Sequence, residues 1–167
     1  MTSVMNFIRG AKFAAMIVAG LSLAACANNP NQGMAGANAG LAGSAAPGSA
    51  QDFVVNVGDR VFFESDSSEL SPQAVATLDK QAQWLGRYNR YAFTVEGHAD
   101  ERGTREYNIA LGARRAQAVR DYLTARGVEG NRMRTISYGK ERPVAVCNDI
   151  SCWSQNRRSV TVLNASS

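Results

Sequence analysis

Apolar positions divide the chain into a leader, a linker and a longer region with the periodicity of a folded domain. A short basic start is followed by an almost wholly apolar run at residues 13–25. That run is too short to cross a bilayer alone and is typical of a secretion signal, here residues 1–25. Residues 26–51 are uncharged and rich in alanine, glycine and asparagine. This composition predicts a flexible linker and leaves residues 52–167 as the domain.

Within the domain, the periodicity predicts alternating strands and helices. In chain order they are β-like runs at 53–55 and 61–63, a helix over 71–88, a strand at 91–96, a helix over 104–126, and strands at 133–138 and 159–163. Ser71 and Thr104 are suitable N-caps for the helices, and Gly127 is a suitable stop. Taking the first two runs together, the order β-α-β-α-β-β predicts an α+β fold, a mixed sheet with both helices on one face.

The second predicted helix places two neighbouring arginines in different surroundings. Its core-facing positions recur at spacings of three and four: Ile109, Gly112, Ala116, Val119 and Leu123. At about 100° per residue, Arg114 lies nearly opposite this face, whereas Arg115 lies beside it, on the side of Asn108 and Leu111. Arg114 is expected in solvent. Arg115 is expected at the border of the core, where its guanidinium can fork onto a carboxylate, although a solvated helix face would also explain either arginine.

Composition and charge narrow the classes of function. The formal net charge is +4, and removing Arg9 and Lys12 of the leader leaves +2. So mild a charge does not favour nucleic acid as a partner, because nucleic acid calls for a clustered basic face. The chain has a single histidine, His98, and three cysteines, without the spacing of a metal site. Neither a metal nor a cofactor is therefore expected.

Cys26 lies at the end of the apolar leader, after Leu23-Ala24-Ala25. Small residues before a cysteine at this point resemble the bacterial lipobox. The resemblance implies that Cys26 becomes the mature N-terminus and carries several acyl chains, which anchor far more firmly than one. Ala27, rather than an aspartate, follows it, as in lipoproteins exported to the outer membrane. The alternative is an ordinary signal with a chance cysteine.

The other two cysteines, Cys147 and Cys152, lie close together in the last predicted loop, in the stretch CNDISC. A compartment outside the cytoplasm permits disulfides, and a ring this small stabilises a loop by about 2 kcal/mol. We therefore expect the two to pair with each other. A metal or redox pair is the alternative.

Several motifs occur in the order that one family shows. They are GHADERGTREYN at 97–108, followed by LG and RRA, together with VFF at 61–63, SYGKERP at 137–143 and NRR at 156–158. Behind a lipobox and a linker, this pattern over about residues 61–163 resembles the OmpA-like C-terminal domain family, and more narrowly its lipoproteins that associate with peptidoglycan. The resemblance implies non-covalent binding to the diaminopimelate residue of the peptidoglycan stem peptide.

The resemblance also implies roles for individual residues. Asp100 would receive the ligand's ammonium and Arg115 its carboxylate, which suits a zwitterion because charge-assisted hydrogen bonds are strong. The other residues implied at or near the site are Asn108, Leu111, Phe63, Asp66 and Arg157. Glu64 departs from the family, which usually has aspartate there, so the edge of the site is expected to differ.

For the whole protein, the resemblance implies a lipid-anchored protein on the periplasmic face of the outer membrane, tethering that membrane to the cell wall. It also implies partners in the Tol system, including the propeller protein TolB, and a role in envelope integrity and cell division. An envelope scaffold and an enzyme acting on peptidoglycan stay open as alternatives. The enzyme is disfavoured, because Asp100 and Glu101 are adjacent and do not suggest two carboxylates flanking a sugar.

Overall fold

The computed structural model of the protein describes residues 45–164; the predicted signal, Cys26 and most of the predicted linker lie outside these residues. In chain order the elements are α1 (Ala50–Asp52), a π-helical turn (Phe53–Val57), β1 (Arg60–Phe62), α2 (Pro72–Arg87), β2 (Phe93–His98), α3 (Arg105–Ala125), a 3-10 turn (Gly130–Arg132), β3 (Met133–Gly139), α4 (Ile150–Asn156) and β4 (Arg158–Leu163). Among these helices, none is long and apolar enough to cross a membrane.

The sheet is mixed, as predicted, with strand order β1-β4-β2-β3. β2 and β3 are parallel and are joined by a crossover through α3, whereas β4 runs antiparallel to both β1 and β2. α2 and α3 pack on the face of the sheet that carries Phe93 and Val95, which are fully buried. The predicted α+β fold, with its two long helices on one face of a mixed sheet, is confirmed.

Both predicted helix starts are confirmed. The side chain of Ser71 accepts a hydrogen bond from the backbone N–H of Ala74, and Thr104 accepts one from Tyr107, each at 3.2 Å. Each bond satisfies one of the N–H groups that the first turn of a helix leaves unpaired. Thr104 thereby sets the point at which the loop after β2 becomes α3.

The prediction of a strand at residues 53–55 is wrong, because this segment is helical. Ser49 caps the short helix α1, and the helical path continues through the π-helical turn. Phe53 is fully buried, with its ring centroid 4.9 Å from that of Trp84 on α2. Burial of this one ring against α2 outweighs the strand preference of the valines that follow it. Gly58, at φ 92°, ends the segment before β1.

The last residues assigned to the linker lie against the domain. The carbonyl of Gly48 accepts hydrogen bonds from the Tyr91 hydroxyl (2.8 Å) and from Nη2 of Arg90 (2.6 Å). The carboxylate of Asp52 accepts one from the indole N–H of Trp84 (2.8 Å). Because Tyr91 lies two residues before β2, these contacts fix the start of the described chain at the end of the sheet where β2 begins.

The loop after β3 contains α4, which periodicity does not predict. Asp149 caps this helix by accepting a hydrogen bond from the backbone N–H of Ser151 (2.7 Å). Only Cys152 and Asn156 of its seven residues are buried, which is too little for a recognisable apolar face. Asn156 also holds the loop, since its side-chain amide donates to the carbonyl of Ala145 (2.8 Å).

β2 and α3 touch backbone to backbone at two glycines. A Cβ on Gly97 would lie 1.8 Å from the carbonyl oxygen of Gly112, and a Cβ on Gly112 would lie 2.4 Å from Oγ of Ser137. Only glycine permits so close an approach. The contact brings the end of β2 against the middle of α3, one turn before Arg115.

Candidate functional site

The loop between β2 and α3 forms one wall of an open cavity of about 260 Å³. The backbone N–H of Ala99 donates to the carbonyl of Gly139 (2.8 Å), which continues the pairing of β2 and β3 into the loop. The cavity is lined by Ser65, Asp66, Asp100, Arg102, Gly103, Tyr107, Asn108 and Leu111. Four of these lining residues are among those that the sequence predicts for the site.

Asp100 provides the buried carboxylate of this cavity and is 7% exposed. Arg102 binds both of its oxygens, through Nε to Oδ1 at 3.1 Å and through Nη2 to Oδ2 at 2.7 Å. Nη1 of Arg157 lies 3.5 Å from Oδ2. Burial by itself raises the pKa of Asp100, but hydrogen bonds from Arg102, helped by Arg157, outweigh it and hold the pKa below its ordinary value. Asp100 is therefore ionised at neutral pH.

Arg115 is completely buried, deeper than the border position that the helix projection predicts. Its guanidinium donates to three backbone carbonyls: from Nε to Ser67 (2.8 Å), from Nη1 to His98 (2.8 Å) and from Nη2 to Glu64 (3.0 Å). Burial lowers the pKa of Arg115 to about 10, and the positive charge of Arg157 acts in the same direction. A pKa in that range still leaves Arg115 charged at neutral pH.

Asp100 and Arg115 lie on the same side of the molecule. The carbonyl that accepts from Nη1 of Arg115 belongs to His98, two residues before Asp100. The negative charge of Asp100 also raises the pKa of Arg115, against the effect of burial. The carboxylate and the guanidinium are thus close enough for their charges to interact.

The other predicted residues surround this pair. Cζ of Arg115 lies 5.1 Å from the ring centroid of Phe63, whose carbonyl accepts from Nε of Arg157 (2.9 Å). Nδ2 of Asn108 donates to the carbonyl of Arg102 (2.7 Å), which ties the loop to α3. Leu111 and Asp66 line the cavity. The fold therefore brings all of the residues implied by the resemblance into one region.

Three further residues of the site were missed by sequence reasoning: Arg102, Tyr107 and Trp153. The hydroxyl of Tyr107 donates to the carboxylate of Asp66, which has φ 57°, in the left-handed region. Helical spacing from Thr104 could have placed Tyr107 on this side of α3. Cζ of Arg102 lies 4.2 Å from the ring centroid of Trp153, whose indole N–H donates to Glu101, 52 positions away in the chain. Nothing local predicts a contact at that separation.

The Cys147–Cys152 pair forms a disulfide in the structure, with Cα atoms 5.7 Å apart. Asp149 lies close to both sulfurs, and the three side chains together could offer donor atoms to a metal. Sulfurs bonded to each other are, however, not thiolate ligands. The bond instead ties the loop after β3 to α4, the helix that carries Trp153.

His98, beside the site, is buried in its neutral form. It is 1% exposed, and its Nε2 lies 3.4 Å from Oε2 of Glu96, a neighbour that would favour protonation. Burial nevertheless lowers the pKa of His98 to about 4, with the positive charges of Arg158 and Arg142 acting in the same direction. The lowered pKa makes the stability of the domain sensitive to mild acid.

We expect the free energy of unfolding to fall between pH 6.5 and pH 4. The folded-state pKa of His98 lies below its ordinary value of 6.5, so the unfolded chain takes up this proton first. The stabilisation is complete above pH 6.5, and roughly 2–3 kcal/mol of it is lost as the pH falls to about 4. Chemical denaturation at a series of pH values measures the loss, which His98→Gln should abolish. A flat wild-type profile over this range would contradict burial of a neutral imidazole.

Comparison with known proteins shows which family the chain resembles. A model described as the OmpA family matches residues 62–157. The peptidoglycan-associated lipoprotein of Rhizobium meliloti (strain 1021) is 68% identical over 148 residues, which cover 88% of this chain and 84% of the relative. That of Pseudomonas aeruginosa is 41% identical over 169 residues, covering 92% and 97%.

Solved structures of related proteins are also similar to this chain. The crystal structure of the peptidoglycan-associated lipoprotein from Burkholderia pseudomallei has a TM-score of 0.62 at 42% identity, over 64% of this chain and 90% of the other. The C-terminal domain of Helicobacter pylori MotB has a TM-score of 0.60 at 23% identity, over 64% and 84%, which shows a shared fold. The residues that match the family model include every residue predicted to contact a ligand. The chain therefore belongs to the OmpA family and, within it, to the peptidoglycan-associated lipoproteins.

Proposed function

We propose that the protein binds peptidoglycan non-covalently, by holding one amino-acid end of the stem-peptide diaminopimelate. In this proposal Asp100 receives the ammonium and Arg115 the carboxylate. One observation carries it: an ionised, nearly buried Asp100 lines an open cavity, and a fully buried Arg115 is bonded to the carbonyl of His98, two residues before Asp100. The similar lipoproteins from R. meliloti and B. pseudomallei are named for their association with peptidoglycan, which supports the same ligand.

Arg115 has N–H groups left with which to bind a ligand carboxylate. A guanidinium has five N–H groups, and its three backbone carbonyl contacts use three of them, so two are left for a ligand. Arg115 is fully covered and is bonded to Glu64 and Ser67, so in this proposal the loop that holds these two residues moves outward when the ligand binds. A ligand that lacks either charge would leave Asp100 or Arg115 unmatched, and this mismatch would make the site selective for a zwitterion.

At the scale of the cell envelope, this site would serve as one end of a tether. The other end is the proposed lipid at Cys26, held in the outer membrane with the domain on the periplasmic side. Residues 27–44 would provide much of the reach between membrane and wall. The family likeness supports a further proposal: a role in the Tol system, with TolB as a partner, in envelope integrity and cell division.

A protein-binding surface is a second candidate function, and the loop after β3 favours it. This loop forms an apolar cavity of about 360 Å³, lined in part by Ala145 and Val146. Val146 is 87% exposed and Ile150 is 64% exposed. Apolar side chains grouped on a surface are typical of contacts with other proteins, and TolB is the partner that the family likeness suggests.

Replacing Asp100 by asparagine tests the proposed site. The change preserves the shape of the side chain but removes the charge that an ammonium needs. We expect co-sedimentation of the full-length, detergent-solubilised protein with isolated peptidoglycan to weaken about tenfold or more, the size of one charged hydrogen bond. The measurement is the fraction of protein in the pellet across a series of peptidoglycan concentrations.

Asp121→Asn is the matched control, since Asp121 is exposed on α3 and loses the same charge. It should sediment as the wild type does. Undiminished sedimentation of Asp100→Asn would reject the site. Release of soluble muropeptides by the wild-type protein would instead favour an enzyme.

A further inference from the structure

Two arginine side chains, Arg102 and Arg157, bind the Asp100 carboxylate, and their surroundings differ. The Arg157 side chain is 6% exposed, makes one contact at 3.5 Å, and is held by the carbonyl of Phe63. The Arg102 side chain is 42% exposed and makes the shorter, two-point contact at 2.7 and 3.1 Å. Arg102 lines the cavity and Arg157 does not. Arg102 therefore covers the side of the carboxylate that a ligand in the cavity would approach.

The guanidinium of Arg102 also has partners other than Asp100. Its Nη2 donates to Oγ of Ser65 at 2.8 Å, and its Cζ lies 4.2 Å from the ring centroid of Trp153. A guanidinium over an indole face at this distance is held by a cation–π interaction. Trp153 is itself fixed by its hydrogen bond to Glu101 and by the disulfide before it. A guanidinium that leaves Asp100 can therefore stay on Trp153 and Ser65.

An ammonium that enters the cavity needs the same carboxylate oxygens. Oδ1 accepts from Nε and from the backbone N–H of Arg102 (3.2 Å), and Oδ2 accepts from Nη2. Only molecules in which the Arg102 side chain has moved away present both oxygens to a ligand. The apparent affinity falls in proportion to that fraction.

We propose that Arg102 is an internal competitor of the ligand and sets the affinity of this site for ammonium groups. The incoming ammonium displaces the guanidinium from Asp100, and the guanidinium stays on Trp153 and Ser65. This inference rests on the proposed function. It adds a residue, Arg102, that sets how tightly an ammonium must bind Asp100 in order to displace it. No covalent bond is made or broken in the exchange.

Arg102→Gln tests the inference directly, because it removes the competing charge and keeps a polar side chain. The probe is free meso-diaminopimelic acid, titrated calorimetrically into the full-length protein in detergent. We expect binding to become about threefold to fivefold tighter, the factor that corresponds to one partly exposed ion pair. Arg102→Lys keeps a cation without the two-point contact, so its affinity should lie between those of the wild type and Arg102→Gln.

Arg105→Gln is the matched control for net charge. The Arg105 side chain is 64% exposed at the start of α3 and pairs with Glu141 at 3.2 Å, away from Asp100. Its substitution should leave the affinity unchanged. A second measurement needs no variant: the NMR signal of the Arg102 Nε–H should shift when meso-diaminopimelic acid is added to the wild-type protein.

The outcomes separate this inference from the function on which it rests. Wild-type binding that Asp100→Asn abolishes, with tighter binding by Arg102→Gln and a shifted Arg102 signal, would support both. The same loss in Asp100→Asn with unchanged or weaker binding by Arg102→Gln would overturn the competitor alone. A wild-type protein that binds neither the probe nor peptidoglycan would overturn the proposed function and the competitor together. Should Arg102→Gln fail to fold, an unshifted Arg102 signal would still overturn the competitor.

Discussion

Replacing Arg115 by methionine is expected to lower the free energy of unfolding by roughly 4 kcal/mol or more, because it removes three hydrogen bonds from a charged donor to backbone carbonyls. Its guanidinium donates to the carbonyls of Glu64 and Ser67, in the loop after β1, and to that of His98, the last residue of β2. The Glu64 carbonyl also accepts from the backbone N–H of Ser67, at 3.3 Å. Methionine has a similar length and can still pack against Phe63. The loss of unfolding free energy therefore measures the contribution of the guanidinium. Denaturation with guanidinium chloride measures the change.

The neighbouring residue provides the control for Arg115. Arg114 is exposed on α3, as predicted, and its Cζ lies 5.9 Å from the ring centroid of Tyr107. Arg114→Met should change the unfolding free energy by no more than about 0.5 kcal/mol, as is usual for surface substitutions. Equal losses in the two variants would contradict the anchoring role of Arg115. The same reasoning makes Arg115→Ala a poor test of ligand binding, since lost binding would follow from a damaged loop.

Gly97→Ala is the second change with a large expected effect, a loss of roughly 3 kcal/mol or more, at the upper end for an overfilled interior. The added methyl carbon would lie 1.8 Å from the carbonyl oxygen of Gly112, a backbone atom that cannot rotate away. β2 and α3 must separate to admit it, which also pulls the Asp100 loop away from Arg115. We therefore expect weaker binding of meso-diaminopimelic acid as well as lower stability.

Gly86→Ala is the matched control, since a Cβ at Gly86 on α2 meets no atom within 4 Å. Alanine costs less than glycine in a helix, so this variant should gain about 0.5–1 kcal/mol. Thermal unfolding of both variants gives the comparison. A Gly97→Ala variant as stable as the wild type would show that the two backbones can move apart at little cost.

The site could be predicted as far as its residues lie on one element or in one motif. Asp100 follows a predicted strand and Arg115 lies on a predicted helix, so both elements and their order were available from periodicity. The depth of Arg115 was not, because two of the carbonyls that hold its guanidinium belong to Glu64 and Ser67, in an earlier part of the chain. A helix projection gives the direction of a side chain and not what covers it.

The errors in predicting the fold from the sequence have the same origin. The segment after Asp52 has the composition of a strand, yet Phe53 finds a better partner in Trp84 of α2. The cap by Asp149 that starts α4 is visible in the sequence, but the helix is too short for an apolar period. Consequently Trp153, and with it the surroundings of Arg102, could not be placed in advance. Local pattern indicates the elements, whereas these contacts join parts of the chain that are distant in sequence.

If the membrane and the wall are attached as proposed, the two attachment points lie at opposite ends of β2. The described chain starts beside Tyr91, two residues before β2, and Asp100 follows the other end, about 20 Å away along a six-residue strand. A pull between membrane and wall would run along β2, the strand bonded to both β3 and β4. Its hydrogen bonds lie across that direction and would resist shear together, instead of opening one after another.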